Sequence, residues 1–205
     1  MPYNLEIEFK NLLSKDSFYK LTSVFNLQPS DFILQKNTYF DFNEILADQL
    51  MALRIREKLG EFTITLKQKA VQSQHAQIEI TETFEHDIND LLNTPSEVLP
   101  KAIMNHLAME QITLDKLVII GKIETLRKEI DYQNGILCLD YNRFDSATED
   151  YELEYEYESI TDGETIFDNF LLQQNIPHKP TKNKIQRMLE YRLKEKQKND
   201  TETEQ

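Results

Sequence analysis

The chain has 205 residues, 40% of them hydrophobic and 29% charged, and a formal net charge of −13. That length suits one sizeable domain. The acidity disfavours a duplex nucleic-acid binder, whose footprint is a basic stripe, and equally an anionic membrane surface. Cys138 alone allows neither a disulfide framework nor a cysteine zinc site. No basic-then-apolar leader pattern opens the sequence, and the longest apolar run, Leu117 to Ile120, is far too short to span a bilayer. A cytoplasmic location is the expectation.

The first segment, Leu5-Glu6-Ile7-Glu8-Phe9-Lys10, alternates strictly. In a strand Leu5, Ile7 and Phe9 cover one face, and Glu6, Glu8 and Lys10 crowd the other about 7 Å apart. Ser14 is placed to cap a helix bearing Phe18, Leu21 and Phe25, which ends near Pro29. A strand from Gln35 to Phe42 comes next. Leu53 to Arg56 and Phe62 to Lys67 alternate at period two around a turn at Gly60, the pattern of a hairpin, and Gln77 to Phe84 continues it. Between residues 87 and 110, Asp87 and Ser96 are N-cap candidates and Pro100 suits a first helical turn, which predicts two short helices. Strands resume from Leu114 to Ile130 and from Ile136 to Phe144, with Asn134-Gly135 as the turn, and then from Tyr151 to Tyr157. Thr161-Asp162-Gly163-Glu164 has a capping-box pattern for a helix carrying Ile166, Phe167, Phe170 and Leu171. A last helix starts near Thr181 and leads into a charged, disordered tail at 194–205. No repeat or linker divides residues 1–193, so a single domain is expected, of α+β class, with about eight antiparallel strands. Closing such a sheet into a barrel removes its edges.

The polar faces divide by charge along the chain. The first strand supplies Glu6, Glu8 and Lys10; the middle strands supply Arg54, Arg56, Lys67 and Glu79; later strands supply Arg127, Asp140 and then Glu152, Glu154 and Glu156. Spacing alone leaves two readings open, a sheet with one wet face or a barrel with charged faces turned inward. In the second, buried ions of both signs need compensation. Arginines and lysines there call for a polyanion, and clustered carboxylates for a hard cation. A metal-escorted triphosphate satisfies both. Other chemistries lack support. The four glycines form no phosphate-cradling loop, the histidines fall into no metal-ligand spacing, and Cys138 sits in an apolar run as a buried small residue.

Glu6-x-Glu8-x-Lys10, Leu53-Arg54-Ile55-Arg56-Glu57, Thr63-Ile64-Thr65-Leu66-Lys67, Gly121 to Arg127, Leu139-Asp140-Tyr141, Asp150-Tyr151-Glu152-Leu153-Glu154 and Lys184 together resemble the CYTH family, the triphosphate tunnel metalloenzymes. The resemblance covers residues 4–190. It implies an eight-stranded antiparallel β-tunnel with helices packed on the outside. By the same resemblance Lys10, Arg54, Arg56, Lys67, Arg127 and Lys184 would bind the triphosphate. Glu6, Glu8, Asp140, Glu152 and Glu154 would hold Mg2+ or Mn2+, with Glu79 as an additional tunnel acid. Glu6, Glu8, Lys10, Arg56 and Glu154 would be the catalytic set. One metal would orient the phosphates and a second could activate water, which suits a chain without a placed histidine base.

The activity expected on these grounds is metal-dependent hydrolysis of the terminal phosphate of tripolyphosphate, thiamine triphosphate or a nucleoside triphosphate. Two alternatives stay open: a class IV-type adenylate cyclase using the same tunnel, and a non-catalytic polyphosphate- or nucleotide-binding module. The expected partner is the small triphosphate, with no duplex nucleic acid and no membrane; a homodimer is a possible assembly.

Overall fold

The computed structural model describes residues 3–70, 73, 75–145 and 148–203. Its eight strands are β1 (Tyr3–Leu13), β2 (Ile33–Asp41), β3 (Met51–Lys58), β4 (Glu61–Lys69), β5 (Ala76–Thr83), β6 (Val118–Tyr132), β7 (Gly135–Phe144) and β8 (Glu149–Glu156). They hydrogen-bond as a closed barrel in the order β1–β5–β4–β3–β2–β6–β7–β8. Seven helices accompany them among the described residues: α1 (Lys15–Val24), α2 (Ile45–Asp48), α3 (Ile88–Asn93), α4 (Pro95–Val98), α5 (Lys101–Met109), α6 (Ile160–Gln173) and α7 (Lys184–Thr203). The fold is therefore the α+β antiparallel barrel that the alternation and the resemblance led us to expect. No helix is long and apolar enough to cross a membrane among these residues.

The chain forms two compact units. The first holds β1 as far as Glu8, most of β2, all of β3 to β5, helices α2 to α5 and the start of β6. Here β3, β4 and β5 pair antiparallel with Leu53 opposite Leu66 and Leu66 opposite Ile80. The apolar face that results, with Phe40, Ile55 and Ile64, packs on Leu46, Leu91, Ile103 and Leu107 from the helices and on Leu99 between α4 and α5. Burying a side chain of this size completely is worth about 1.5–3 kcal/mol. A one-residue slip of any strand would bring charge into that core and expose the apolar set, so the register is fixed by the pattern. Helix α2, too short to show a periodicity, is held by Asp41, whose carboxylate accepts from the amides of Phe42, Leu46 and Ala47.

The second unit holds the remainder of β1, α1, most of β6, then β7, β8, α6 and α7. Ser14 caps α1 as its sequence suggested, accepting from the amide of Ser17 at 3.1 Å. The core here is aromatic: Phe18 of α1 meets Tyr151 with ring centres 4.8 Å apart, Phe167 of α6 stacks on Tyr155, and Phe170 meets Tyr132 edge-on.

Four details differ from the sequence reading. The hairpin between β6 and β7 turns at Gln133-Asn134, both with positive φ, and Tyr132 pairs with Gly135. Gly135 is required for space instead, since a Cβ there would lie 2.6 Å from the Glu156 carbonyl oxygen. Helix α6 begins at Ile160, so Thr161 is inside it and its hydroxyl is not the cap. Three short helices occupy 88–109, and the second starts at Pro95 with Thr94, not Ser96, at its N-cap. Helix α7 continues through 194–203, the segment expected as a tail; residues 204–205 lie outside the described residues.

Candidate active site

In the second unit, β6, β7 and β8 present a polar face by strand parity. Arg127 pairs in register with Asp140, and Asp140 with Glu152. Arg127 grips Asp140 through two hydrogen bonds of 2.8 and 2.6 Å and also reaches Glu154. Lys10 donates to Glu154 at 2.7 Å. Lys184, the first residue of α7, places Nζ 2.5 Å from Glu152, 2.7 Å from Glu154 and 2.9 Å from Asp140. Six residues expected at the site from widely separated segments (Lys10, Arg127, Asp140, Glu152, Glu154 and Lys184) are thus brought into one network. Glu124, on the opposite parity, pairs with Arg143 at the surface, and β6 runs in regular register from Ile123 to Tyr132 without a bulge.

Charges buried this deeply persist only because they are paired. Asp140 and Glu152 are fully buried and Glu154 is nearly so. Burial alone would raise the Glu154 carboxyl, but Lys10, Lys184 and Arg127 outweigh it and hold it well below the usual carboxylate range. At Asp140 burial is likewise overcome, by Arg127 and Lys184, and the carboxyl stays ionised. Burial works against the Lys184 ammonium too, yet Asp140, Glu152 and Glu154 keep it firmly charged.

A second network lies in the first unit. Lys67 bridges Glu6 at 2.5 Å and Glu79 at 3.0 Å. Register places Glu79 opposite Lys67 and Glu82 opposite Ile64, so Glu79 is the acid of this face. Gln77, opposite Glu6, donates its amide to Glu6 at 2.6 Å and to Glu8 at 2.5 Å. Glu6 is pushed up to about 7, by burial first and by its neighbours Glu8 and Glu79, against the pull of Lys67. Glu79 goes the other way, to about 2, because Lys67 and hydrogen bonds from Glu6 and Thr81 overcome its burial. Arg54 and Arg56 share this face. Arg56 donates to Asn37 at 2.9 Å, whereas the buried Nε of Arg54 finds no acceptor among the described residues. A buried N–H left in this way is costly until a ligand oxygen takes it.

The donor sets suit a hard cation. Asp140, Glu152 and Glu154 each offer an oxygen within 4.8 Å of the others, an arrangement able to hold a metal ion. That a side-chain ammonium already rests on all three oxygens shows that the pocket is shaped and charged for a cation. Cys138 is buried, and burial pushes its thiol far up, so it is no nucleophile. His106 is buried against Gln68, as a core residue.

Two residues went unforeseen. Arg187, 3% exposed, clasps Asp150 and Glu152 and donates to the Lys182 carbonyl. Its signal was available: it stands three positions after Lys184 and so on the same helical face. Gln77 shares strand parity with Glu79, which was likewise a usable cue.

Comparison with known proteins agrees with this geometry. The CYTH domain profile matches residues 4–189. "Putative triphosphatase YjbK" of Bacillus subtilis is 35% identical over 197 residues, spanning 95% of this chain and 99% of its own. The crystal structure of "a putative adenylate cyclase" from Bacillus halodurans superposes with a TM-score of 0.81 at 37% identity, over 91% of this chain and 98% of the other. The Hippeastrum protein HpAC1 shares the fold, with a TM-score of 0.71 at 22% identity over 90% of this chain and 95% of its own.

Proposed function

The chain belongs to the CYTH domain family, and from that premise we propose that it is a divalent-metal-dependent triphosphatase that removes the terminal phosphate of a small triphosphate. The observation that carries this reading is the group Asp140, Glu152 and Glu154 ringed by Lys10, Arg127 and Lys184. Five carboxylates (Asp140, Asp150, Glu152, Glu154, Glu156) face four cations (Lys10, Arg127, Lys184, Arg187) in that network. Such a densely paired set accepts a metal–triphosphate complex by exchanging partners, carboxylate to metal and cation to phosphate. The unpaired Nε of Arg54 and the 35% identical relative named "Putative triphosphatase YjbK" support the same reading.

In this assignment Asp140, Glu152 and Glu154 hold Mg2+ or Mn2+, and Glu6 and Glu8 are the further metal-binding pair that the family resemblance implies. Bound there, a divalent ion supplies charge neutralisation and acidifies water for attack. Lys10, Arg127 and Lys184, with Arg54, Arg56 and Lys67, bind and orient the phosphate oxygens and stabilise charge on the leaving group. Gln77 orients the Glu6 and Glu8 carboxylates through its amide. Asp140 is further fixed by its two-point contact with Arg127.

The test is a panel of tripolyphosphate, thiamine triphosphate and nucleoside triphosphates with Mg2+ or Mn2+, with phosphate, pyrophosphate and cyclic AMP all quantified. Phosphate release is expected. Cyclic AMP with pyrophosphate would instead establish the cyclase alternative, and tight tripolyphosphate binding without turnover would establish a binding module. Glu154→Ala or Glu8→Ala should abolish turnover with less effect on polyanion binding, whereas Arg56→Ala should weaken binding and lower the rate.

A further inference from the structure

Lys184 Nζ lies 2.9, 2.5 and 2.7 Å from one oxygen each of Asp140, Glu152 and Glu154, the three residues whose ligand atoms cluster within 4.8 Å. An ammonium carries three donors, and here all three have an anionic oxygen in reach. Its side chain is 12% exposed, and the acids' side chains are 0–3% exposed, so the position is largely shielded from bulk water. The point where these carboxylates would converge on a metal is thus held by a cation belonging to the chain. A divalent ion cannot join the same three oxygens while that ammonium stays, because the like charges would sit in contact within a buried space. One helical turn on, Arg187 fastens α7 independently, through Asp150, Glu152 and the Lys182 carbonyl. The helix therefore keeps its place when the lysine side chain moves.

We propose that Lys184 is a built-in competitor for the metal: its ammonium fills the cation position among Asp140, Glu152 and Glu154 until a divalent ion takes that position, and only then is the side chain free to engage phosphate. This deepens the metal-dependent reading above and rests on it. Metal binding and phosphate binding become coupled through one residue, since each metal that enters frees a positive charge for the anion. The ion's apparent affinity is lowered without substrate and raised with it, a reciprocal linkage.

Mn2+ binding to the full chain, followed by titration calorimetry without any triphosphate, reads the competition directly. Lys184→Gln should bind Mn2+ more tightly than the parent, by roughly tenfold or more for the loss of one competing charged contact. Lys182→Gln makes the same change of net charge at an exposed lysine two residues earlier and should stay within about twofold. Equal or weaker Mn2+ binding by Lys184→Gln would overturn the proposal. Because that variant leaves three acids short of a partner and could fail to fold, the parent protein provides a second reading. Acetic anhydride labelling of Lys184, followed by peptide mass spectrometry, should accelerate when Mn2+ is added, and an unchanged or slower rate would overturn it. Absence of Mn2+ and Mg2+ binding in the parent is a separate result, which would remove the metal assignment itself.

Discussion

Replacing Arg187 by methionine isolates what the buried network contributes to stability. Arg187 is 3% exposed and donates to Asp150 at 2.8 and 3.2 Å and to Glu152 at 3.0 Å through two nitrogens. Removing one member of a buried ion pair costs about 3–5 kcal/mol, because the partner is left charged and dry. Here both carboxylates keep other donors. Glu152 retains Lys184, and Asp150 retains the Tyr191 hydroxyl and the Asn142 amide, each at 3.0 Å. The cost should therefore fall at the low end, about 3 kcal/mol, which for a chain of this length is a fall of about 6–12 °C in Tm. Circular dichroism melts of the metal-free protein measure it. Arg192→Met removes a half-exposed pair with Asp145 and serves as the reference, with an expected loss of about 0–1 kcal/mol. Asp150→Asn added to Arg187→Met should recover part of the loss by removing the stranded charge. If Arg187→Met melted with Arg192→Met, or if Asp150→Asn deepened the loss, the account of a paired, desolvated network would be wrong.

Two further outcomes are expected. Glu6, raised from 4.5 to about 7, binds its proton in the folded state at pH values where the unfolded chain has released it; stability should therefore fall as pH rises from about 4.5 to about 7, by roughly 3 kcal/mol. Glu79, lowered to about 2, contributes the opposite slope below pH 4.5; Glu6→Gln should flatten the upper limb in denaturant titrations of metal-free protein, and parallel profiles for the two proteins would contradict the assignment. Gly163→Ala would bring a Cβ to 2.5 Å from Phe9 Cε2, so overpacking of about 1–3 kcal/mol should exceed the helix-propensity gain of about 1 kcal/mol; an unchanged or raised Tm would show that Phe9 moves freely.

Much of this architecture was legible because strands with one charged and one apolar face announce themselves at period two. Arg127, Asp140, Glu152 and Glu154 all followed from parity once the strands were placed. What escaped had physical reasons. Helix α2 has four residues, less than the span over which a 3.6-residue period can register, and depends on Asp41, at the end of β2. The Asn134-Gly135 pair is the preferred composition of a two-residue hairpin, yet the turn sits one position earlier because Gly135 must lie against β8. Arg187 looked like any charge on a terminal helix. A guanidinium has the same place in a helical period whether it meets water or a buried carboxylate. Which acid belonged to β5 became definite only with the pairing of Lys67 and Glu79.

The buried network also bears on how the chain reaches its final state. Its members come from residue 10, from 127–154 and from 184–187, so the Lys10–Glu154 contact alone spans 144 positions. Contacts that distant are made late in folding. On the ribosome, Lys10 and Arg127 precede Asp140 and Glu154 and can pair with them early, but Glu152 emerges well before Lys184 and Arg187, the cations it meets. Until α7 arrives, Glu152 has neither of them, which disfavours its burial on β8. Helix α7 thus closes the folding of its unit, and a nascent protein cut short before Lys184 would be left with Glu152 facing a dry interior without those two cations.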